Sequence, residues 1–237
     1  MTKTLHSRWA AMAASFLLVA PWGAPVSAAI IADRPSIATG PEVVEAGIFQ
    51  LELGTRFAGG PAGSVGFEGV QRFGLIPGLE FRVGAPLTVG ATTTSSSMSM
   101  GAKAQFLSGY LLSLGALAAV EMSPQGSATQ AAFLGTLGLP AGWSLTVNAG
   151  PSWSASELDW SGALLLDYNP GDLWQVFGEV ARYQDAAGSR MGWGADMGLS
   201  VLVTEDLIWD LALLKGLSPE VPDWAVTSGF SLRWGSP

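Results

Sequence analysis

The residues of this chain that could do chemistry are acids and bases that recur at even spacings within alternating polar and apolar stretches. They are Glu52, Arg56, Glu68, Arg72, Glu80, Arg82, Lys103, Glu121, Asp159, Asp167, Glu179, Asp196, Asp210 and Arg233. Residues an even number of positions apart point to the same face of a β-strand. Carboxylates and guanidinium groups on a shielded face neutralise one another, because a buried charge without a partner is costly. The sequence therefore predicts a face of ion pairs, with Glu80–Arg82 and Glu68–Arg72 as the first pairs to test.

Catalysis and metal binding have few candidate residues. The chain has no Cys, and its one His, His6, lies in a segment that we expect to be removed. This composition excludes a Ser–His–Asp mechanism and a His- or thiolate-ligated zinc. No pair of Asp or Glu stands out by its spacing for a carboxylate-only hydrolase. We therefore expect neither an enzyme nor a cofactor, and we name no catalytic, cofactor-binding or metal-ligating residue.

The N-terminus has the three parts of a secretory signal peptide. Lys3 and Arg8 are positive, residues 9–20 (WAAMAASFLLVA) form a short apolar core, and residues 26–28 (VSA) match a cleavage pattern. The apolar core is too short for a transmembrane anchor. We expect a cleaved signal peptide at residues 1–28 and hence export of the chain.

The net charge bears on the partners of the exported chain. Removal of Lys3 and Arg8 changes the net charge from −8 to about −10. Nucleic-acid binding needs basic patches that neutralise phosphates. We therefore expect no nucleic-acid partner.

The elements that carry the charged residues alternate with a period of two. In residues 47–57 (GIFQLELGTRF), for example, Phe49, Leu51 and Leu53 are separated by Gln50 and Glu52, which is typical of a strand with one apolar face. We predict about twelve such strands, each near the roughly ten residues that a tilted strand needs to cross a bilayer. They are residues 47–57, 64–73, 79–87, 98–106, 110–122, 128–139, 143–153, 158–168, 173–183, 191–203, 207–216 and 224–234.

The connections between these segments alternate in length. Short turns fall at residues 74–78, 107–109, 140–142, 169–172 and 204–206, whereas longer connections fall at residues 58–63, 90–97, 123–127, 184–190 and 217–223. The connection at residues 154–157 is the weak case. Short periplasmic turns that alternate with longer outer loops are a property of outer-membrane barrels. An even number of strands would place both termini in the periplasm.

Tryptophan placement and charge together indicate which face is inside. Eight of the ten Trp residues follow the signal peptide, and all eight lie near segment ends, as in the aromatic girdles of membrane barrels. A charge on the lipid face would cost about 2–4 kcal/mol at mid-bilayer. The sequence thus predicts an all-β fold: a single transmembrane antiparallel up-and-down β-barrel at residues 47–237, with apolar side chains outside and charges in the lumen. A soluble secreted β-protein is the other reading of the same alternation.

Residues 29–46 precede the first strand and contain Asp33, Arg34, Pro35 and Pro41. This segment, called the leader below, is either a periplasmic tether or a plug that folds into the lumen. As a plug, it would bring Asp33 and Arg34 to lumen charges of opposite sign. Both alternatives stay open at this stage.

Several stretches, taken in order, resemble one family. They are residues 32–54 (ADRPSIATGPEVVEAGIFQLELG), 74–84 (GLIPGLEFRVG), 101–106 (GAKAQF), 147–150 (VNAG), 177–180 (FGEV), 209–224 (WDLALLKGLSPEVPDW) and 229–234 (GFSLRW). The chain resembles the family of outer-membrane transporters named for the meta-pathway of phenol degradation. The resemblance implies a Gram-negative outer-membrane barrel for uptake of aromatic or other small hydrophobic compounds. One departure is that GSP follows Trp234, whereas such barrels usually end on an aromatic residue that the barrel assembly machinery reads.

Two functions remain open. The first is a porin-like channel in which small, hydrophobic or aromatic solutes pass through a narrow barrel, because the inward parity mixes opposite charges with Leu117, Phe177, Leu202 and Leu214. The second is a non-conducting structural or interaction barrel that acts through its extracellular loops, with residues 90–97 (GATTTSSS) as the candidate loop. In both cases the expected partners are outer-membrane lipid and the barrel assembly machinery, and for the channel a small hydrophobic solute.

Overall fold

The structure is a computed structural model that describes residues 30–60, 63–90, 94–124, 126–154, 157–171, 173–184 and 191–235. The predicted signal peptide lies outside these residues, as does the first residue of the leader. Parts of the predicted loops at residues 58–63, 90–97 and 184–190 also lie outside them. Nothing in the described part of the chain is a helix long and apolar enough to cross a membrane.

The described residues form fourteen strand segments. They are β1 (Ile48–Gly59), β2 (Ser64–Ile76), β3 (Leu79–Gly84), β4 (Leu87–Gly90), β5 (Thr94–Ser96), β6 (Met98–Leu107), β7 (Leu112–Ser123), β8 (Gly126–Gly138), β9 (Trp143–Ser154), β10 (Glu157–Gly171), β11 (Trp174–Gln184), β12 (Met191–Thr204), β13 (Leu207–Gly216) and β14 (Trp224–Gly235). A 3-10 turn, Pro140–Gly142, precedes β9.

The sheet closes on itself. Neighbouring strands pair antiparallel in chain order, and β1 pairs with both β2 and β14, so that Phe49 lies opposite Phe73 on one side and Trp234 on the other. Two pairs of segments each form one strand of the barrel: β3 with β4, and β5 with β6. The structure is therefore a closed twelve-strand antiparallel β-barrel, and the predicted fold is confirmed.

Two predicted boundaries are wrong. The third strand, predicted as residues 79–87, is interrupted after Gly84 and resumes at Leu87. Pro86 lies in the gap, and proline has no N–H to donate to a strand ladder. The predicted loop at residues 90–97 is shorter than expected, because Thr94–Ser96 forms β5 and pairs with β4.

The alternation along each strand separates the two faces of the barrel. Large apolar side chains lie on the outer surface, among them Leu53, Phe57, Phe67, Phe81, Phe133, Leu164, Leu213 and Phe230. Six Trp residues are also exposed there: Trp143, Trp153, Trp160, Trp174, Trp193 and Trp224. The opposite parity carries buried charged and polar residues. An apolar outside and a charged inside invert the usual pattern of a soluble protein.

The leader lies inside the barrel. From Ile30 to Ala46 it has almost no regular secondary structure, and Ala38 and Val44 are each only 3% exposed. Ala38 packs with Phe177 and Ala181 on β11 and with Ala212 on β13. Of the two alternatives for this segment, the structure therefore has the chain folded into the lumen, not a free tether outside it.

Candidate functional site

Asp33 of the leader lies where three cations of the barrel wall converge. Its carboxylate is 2.9 Å from Arg82 Nη2, 3.1 Å from Lys103 Nζ and 3.6 Å from Arg72 Nη1. Burial raises the pKa of Asp33, but the nearby Arg72, Lys103 and Arg82 outweigh burial and hold the pKa well below its usual range. Asp33 is therefore a stable anion that fastens the leader to this part of the wall.

Arg72 is the centre of the same network. It donates to Glu80 through both Nε and Nη2, at 3.0 and 2.8 Å, and to Glu52 through Nη1 at 2.8 Å. Nη1 also donates to the leader carbonyl of Ile31 at 2.7 Å. The arrangement is bidentate and fully buried, which makes it strong in geometry and costly to disrupt. The side chain of Arg72 is 0% exposed.

Arg34 makes the complementary contacts on the other side of the leader. Its Nη1 donates to Glu68 on β2 at 2.6 Å. Its Nε and Nη2 each donate to Asp210 on β13 at 3.3 Å, and Nη2 also donates to Thr227 on β14 at 3.1 Å. Adjacent leader residues of opposite charge thus bind wall residues on several strands.

The middle of the leader is held through its backbone. Glu179 accepts hydrogen bonds from the N–H groups of Ile37 and Ala38, at 2.5 and 2.8 Å. The side chain of Asn148 accepts from Thr39 N–H and donates to the Thr39 carbonyl, at 2.7 and 2.8 Å. A buried segment without secondary structure must find partners for its peptide groups elsewhere. Here the side chains of the wall supply them.

The structure groups most of the predicted lumen residues into three sets. Glu52, Arg72, Glu80, Arg82 and Lys103 form one network through Asp33. The second set is Glu68 and Asp210, which share Arg34. The third set is Glu179 and Asp196, which lie directly opposite each other on β11 and β12.

Other predicted residues lie apart from these sets. Arg233 pairs with Asp206 at 3.0 Å, and Asp159 pairs with Arg182 at 2.7 Å. Glu121 is exposed near the end of β7, and Asp167 accepts a hydrogen bond from Ser144 at 2.5 Å. The remaining predicted residue, Arg56, borders a cavity that is described below.

Of the two ion pairs proposed from spacing, Glu68–Arg72 is wrong. The structure pairs Glu68 with Arg34, whereas Arg72 binds Glu52 and Glu80. The other proposed pair, Glu80–Arg82, is present as a long contact of 3.8 Å between Oε1 and Nε, and the closer partners of these two residues are Arg72 and Asp33. The leader supplies charges that spacing within the strands cannot reveal.

Two polar residues that hold the leader are missing from the predicted set. Gln50 Nε2 donates to the Ile31 carbonyl at 2.7 Å and to Glu52 at 2.8 Å. Asn148 makes the two hydrogen bonds to Thr39 described above. Both residues lie on the polar parity of their strands, so the alternation that identified the charged residues also contained these two.

Two cavities flank the leader. The first, called the Arg56 cavity, has a volume of about 270 Å³ and is lined by Ile37, Arg56, Glu68, Asp196 and Leu214, among others. The second, called the Asp167 cavity, has a volume of about 310 Å³. Its walls include Thr146, Leu165, Asp167, Gln175 and Ser200 of the barrel and Asp33 and Glu42 of the leader. A cavity of about 150 Å³ accommodates benzene, so each has room for one small solute.

The donor set of the barrel interior does not favour a metal. Within the described ranges, no three His, Cys, Asp or Glu side chains are placed to hold one ion. Six acids of the interior, Asp33, Glu52, Glu68, Glu80, Glu179 and Asp210, are instead occupied by Arg and Lys side chains or by leader N–H groups. This arrangement holds the leader in the lumen by ion pairs and hydrogen bonds, and it leaves the two small cavities beside the leader.

Comparison with known proteins gives one family and several similar barrels. Residues 32–234 match the family model described as "Putative MetA-pathway of phenol degradation". Among curated protein sequences none matches the chain.

Solved structures of outer-membrane channels have a similar fold. The COG4313 outer membrane channel from Pseudomonas putida F1 aligns with a TM-score of 0.67 at 9% identity, over 81% of this chain and 97% of that one. The KdgM porin in complex with disordered oligogalacturonate aligns with a TM-score of 0.60 at 10% identity, over 76% and 98%. The NanC porin aligns with a TM-score of 0.60 at 8% identity, over 77% and 98%. At such identities the likeness concerns the fold.

Proposed function

The chain belongs to the family described as "Putative MetA-pathway of phenol degradation". From that premise we propose that it is an outer-membrane channel through which small, hydrophobic or aromatic solutes pass passively. The passage is the space between the leader and the barrel wall. No energy source is required, because the solute moves down its own gradient.

The observation that carries the proposal is the leader inside a closed barrel, with the Arg56 cavity and the Asp167 cavity on its flanks. The ion pairs of Asp33 and Arg34 keep the leader in place and make the passage narrow. Volumes of about 270 and 310 Å³ suit a single monocyclic compound. The lining of these cavities includes the apolar residues Ile37, Leu165 and Leu214 beside polar ones, which suits solutes with an apolar body.

An outer-membrane location follows from the two faces of the barrel. The outer surface exposes large apolar side chains and Trp residues, which suits acyl chains and the bilayer interface. The predicted signal peptide supplies export across the inner membrane. In this location the short turns and both termini would face the periplasm.

The test is conductance of the purified barrel in planar bilayers, combined with swelling of liposomes in solutes of increasing size. We expect small currents and swelling with small uncharged aromatic alcohols, but little swelling with disaccharides. Barrel folding is verified by heat-dependent migration in gels. Folded protein that shows neither current nor swelling would contradict the channel and would favour the non-conducting interaction barrel.

A further inference from the structure

Charges are distributed unevenly around the barrel interior. On four consecutive strands, β10 to β13, the inward parity carries acids: Asp167, Glu179, Asp196 and Asp210. We call these four residues the acidic wall. In the described part of these strands, the basic residues are Arg182 and Lys215. Both lie on the outward parity: Arg182 is next to the buried Ala181, and Lys215 is two positions from the exposed Leu213. The acidic wall therefore has no inward base on its own strands.

Three inward cations lie on the opposite side. Arg72, Arg82 and Lys103, here called the basic wall, belong to the adjacent strands β2, β3 and β6, which also carry Glu68 and Glu80, whereas Arg56 and Arg233 lie on β1 and β14. In the order of strands around the closed barrel, β3 and β11 are six strands apart in either direction. The strands whose inward charges are all acidic are thus on the side of the barrel opposite the basic wall.

The leader covers the basic wall. Asp33 binds all three of its cations, and Arg72 and Lys103 are 0% exposed. Lys103 also donates to the leader carbonyl of Gly40 at 3.1 Å. A solute inside the barrel therefore cannot reach two of these three cations.

The open space borders the acidic wall instead. The Asp167 cavity is lined by three acids, Asp33, Glu42 and Asp167, against one base, Arg34. The Arg56 cavity is lined by Glu68 and Asp196 against Arg56. Each cavity is therefore bordered by more carboxyl groups than bases, of which Asp33 and Glu68 already pair with cations.

Asp196 has one carboxylate oxygen that is open to a ligand. The residue is 8% exposed and borders the Arg56 cavity. Its carboxyl group interacts with that of Glu179 on the neighbouring strand, but its Oδ1 is buried and has no hydrogen-bond partner among the described residues. A buried carboxylate oxygen without a donor is costly, and a cation or an ammonium N–H group that enters the cavity would satisfy it.

We propose that the passage beside the leader is cation-selective, and that it admits monovalent metal cations and small organic ammonium ions but excludes anions of the same size. The inference rests on the proposed channel function. Its physical basis is that acidic side chains in a narrow space with low-dielectric walls concentrate cations and repel anions. The leader contributes by sealing the basic wall, which would otherwise attract anions.

The test is the reversal potential of the full-length mature protein in planar bilayers under a potassium chloride gradient. The same measurement is repeated with benzylammonium chloride and with sodium benzoate, which carry opposite charges on rings of similar size. We expect potassium to be several-fold more permeant than chloride, and benzylammonium more permeant than benzoate.

Two variants identify the residues responsible. Asp167→Asn and Asp196→Asn each replace a carboxyl group by an amide of nearly the same shape, and each should move the permeability ratio toward one. Glu121→Gln is the matched control, because Glu121 borders neither cavity, and it should leave the ratio unchanged. If Asp196→Asn does not fold, Asp167→Asn alone decides.

The outcomes separate this inference from the function on which it rests. Currents without ion preference, or with a preference for chloride, overturn the selectivity and leave the channel standing. A ratio that is unaffected by Asp167→Asn also overturns the inference. A folded barrel that carries no current contradicts the channel itself and the selectivity with it.

Discussion

Asp33 and Arg34, two consecutive residues of the leader, form ion pairs with charged residues of the barrel wall. Asp33 binds cations on β2, β3 and β6, and Arg34 binds acids on β2 and β13. Because their side chains are 9% and 10% exposed, neither charge can rely on water for stabilisation. Each residue depends on its partners, and the partners depend on the leader.

A first prediction concerns Asp33→Asn. An amide cannot neutralise Arg82 and Lys103, and loss of one partner of a buried ion pair costs about 3–5 kcal/mol. Glu52 and Glu80 remain beside Arg72, so we expect a loss at the lower end of that range, and a leader that detaches transiently from the wall. Single-channel recordings should show larger and noisier currents than those of the unsubstituted protein.

The control for Asp33→Asn is Glu45→Gln, because Glu45 is an exposed acid in the same leader. It should leave the current unchanged. Equal currents for both variants would mean that the contacts of Asp33 do not hold the leader.

A second prediction at this scale concerns Gly54. A Cβ placed on Gly54 would lie 2.2–2.3 Å from the guanidinium atoms of Arg34, which is closer than non-bonded atoms approach. Gly54→Ala should therefore displace Arg34 from Glu68 and Asp210 without any change in charge, and raise the conductance. Gly69→Ala is the matched variant, since a Cβ there would be 3.4 Å from Leu53, and we expect it to behave like the unsubstituted protein. Unaltered currents in Gly54→Ala would count against a structural role for Arg34.

At the scale of elements, the leader and the barrel wall are interdependent. The leader has no hydrogen-bonded partner strand along most of its length, so Glu179, Asn148 and Glu80 satisfy its backbone groups. The leader occupies the part of the lumen between the two cavities. A backbone N–H or carbonyl that lost such a partner without gaining water would cost about 1–3 kcal/mol.

A third prediction therefore concerns deletion of residues 30–46. The strand ladders do not include these residues except for an isolated bridge between Ala46 and Gly74, so the barrel should still form. Water would replace the leader around the charges of the wall. We expect a conductance several-fold higher than that of the full chain, and swelling with solutes that the full chain excludes.

Folding of the deletion variant is checked by heat-dependent migration in gels. A folded variant with the conductance of the full chain would show that the leader does not limit the passage.

For the whole molecule, the apolar outer surface and the charged interior both result from the alternation of apolar and polar residues along each strand. The strands place Leu164 outside, at 51% exposure, and the next residue, Leu165, inside at 6%. A bilayer stabilises this distribution, because acyl chains solvate the outer side chains and exclude unpaired charges.

A fourth prediction tests the outer surface. Leu164→Lys places a charge on the outer face of β10, where it should reduce the free energy of unfolding in lipid vesicles by about 2–4 kcal/mol if the site lies near mid-bilayer. Leu164→Met is the control and should change stability by less than about 1.5 kcal/mol. The measurement is denaturant unfolding followed by Trp fluorescence. A Lys variant as stable as the Met variant would indicate that this surface does not face lipid.

The period-two alternation was sufficient to predict the barrel, its strand number and the parity of the lumen residues, since successive side chains of a strand must point to opposite faces. Glu52, Arg72 and Lys103 were recognised in this way. The interruption at Pro86 and the short strand Thr94–Ser96 were not, because strand ends depend on pairing with neighbours as well as on local residue type.

The sequence by itself determined that the strands between Ile48 and Gly235 make an antiparallel barrel with charges on one face, because that information is local and repeats in every strand. Only the tertiary structure decided where the leader lies and which charges pair. Arg34 and Asp210 are 176 residues apart in the chain, and Ile37 and Glu179 are 142 apart. Such contacts arise when the barrel closes around the leader, and no spacing within a strand can specify them.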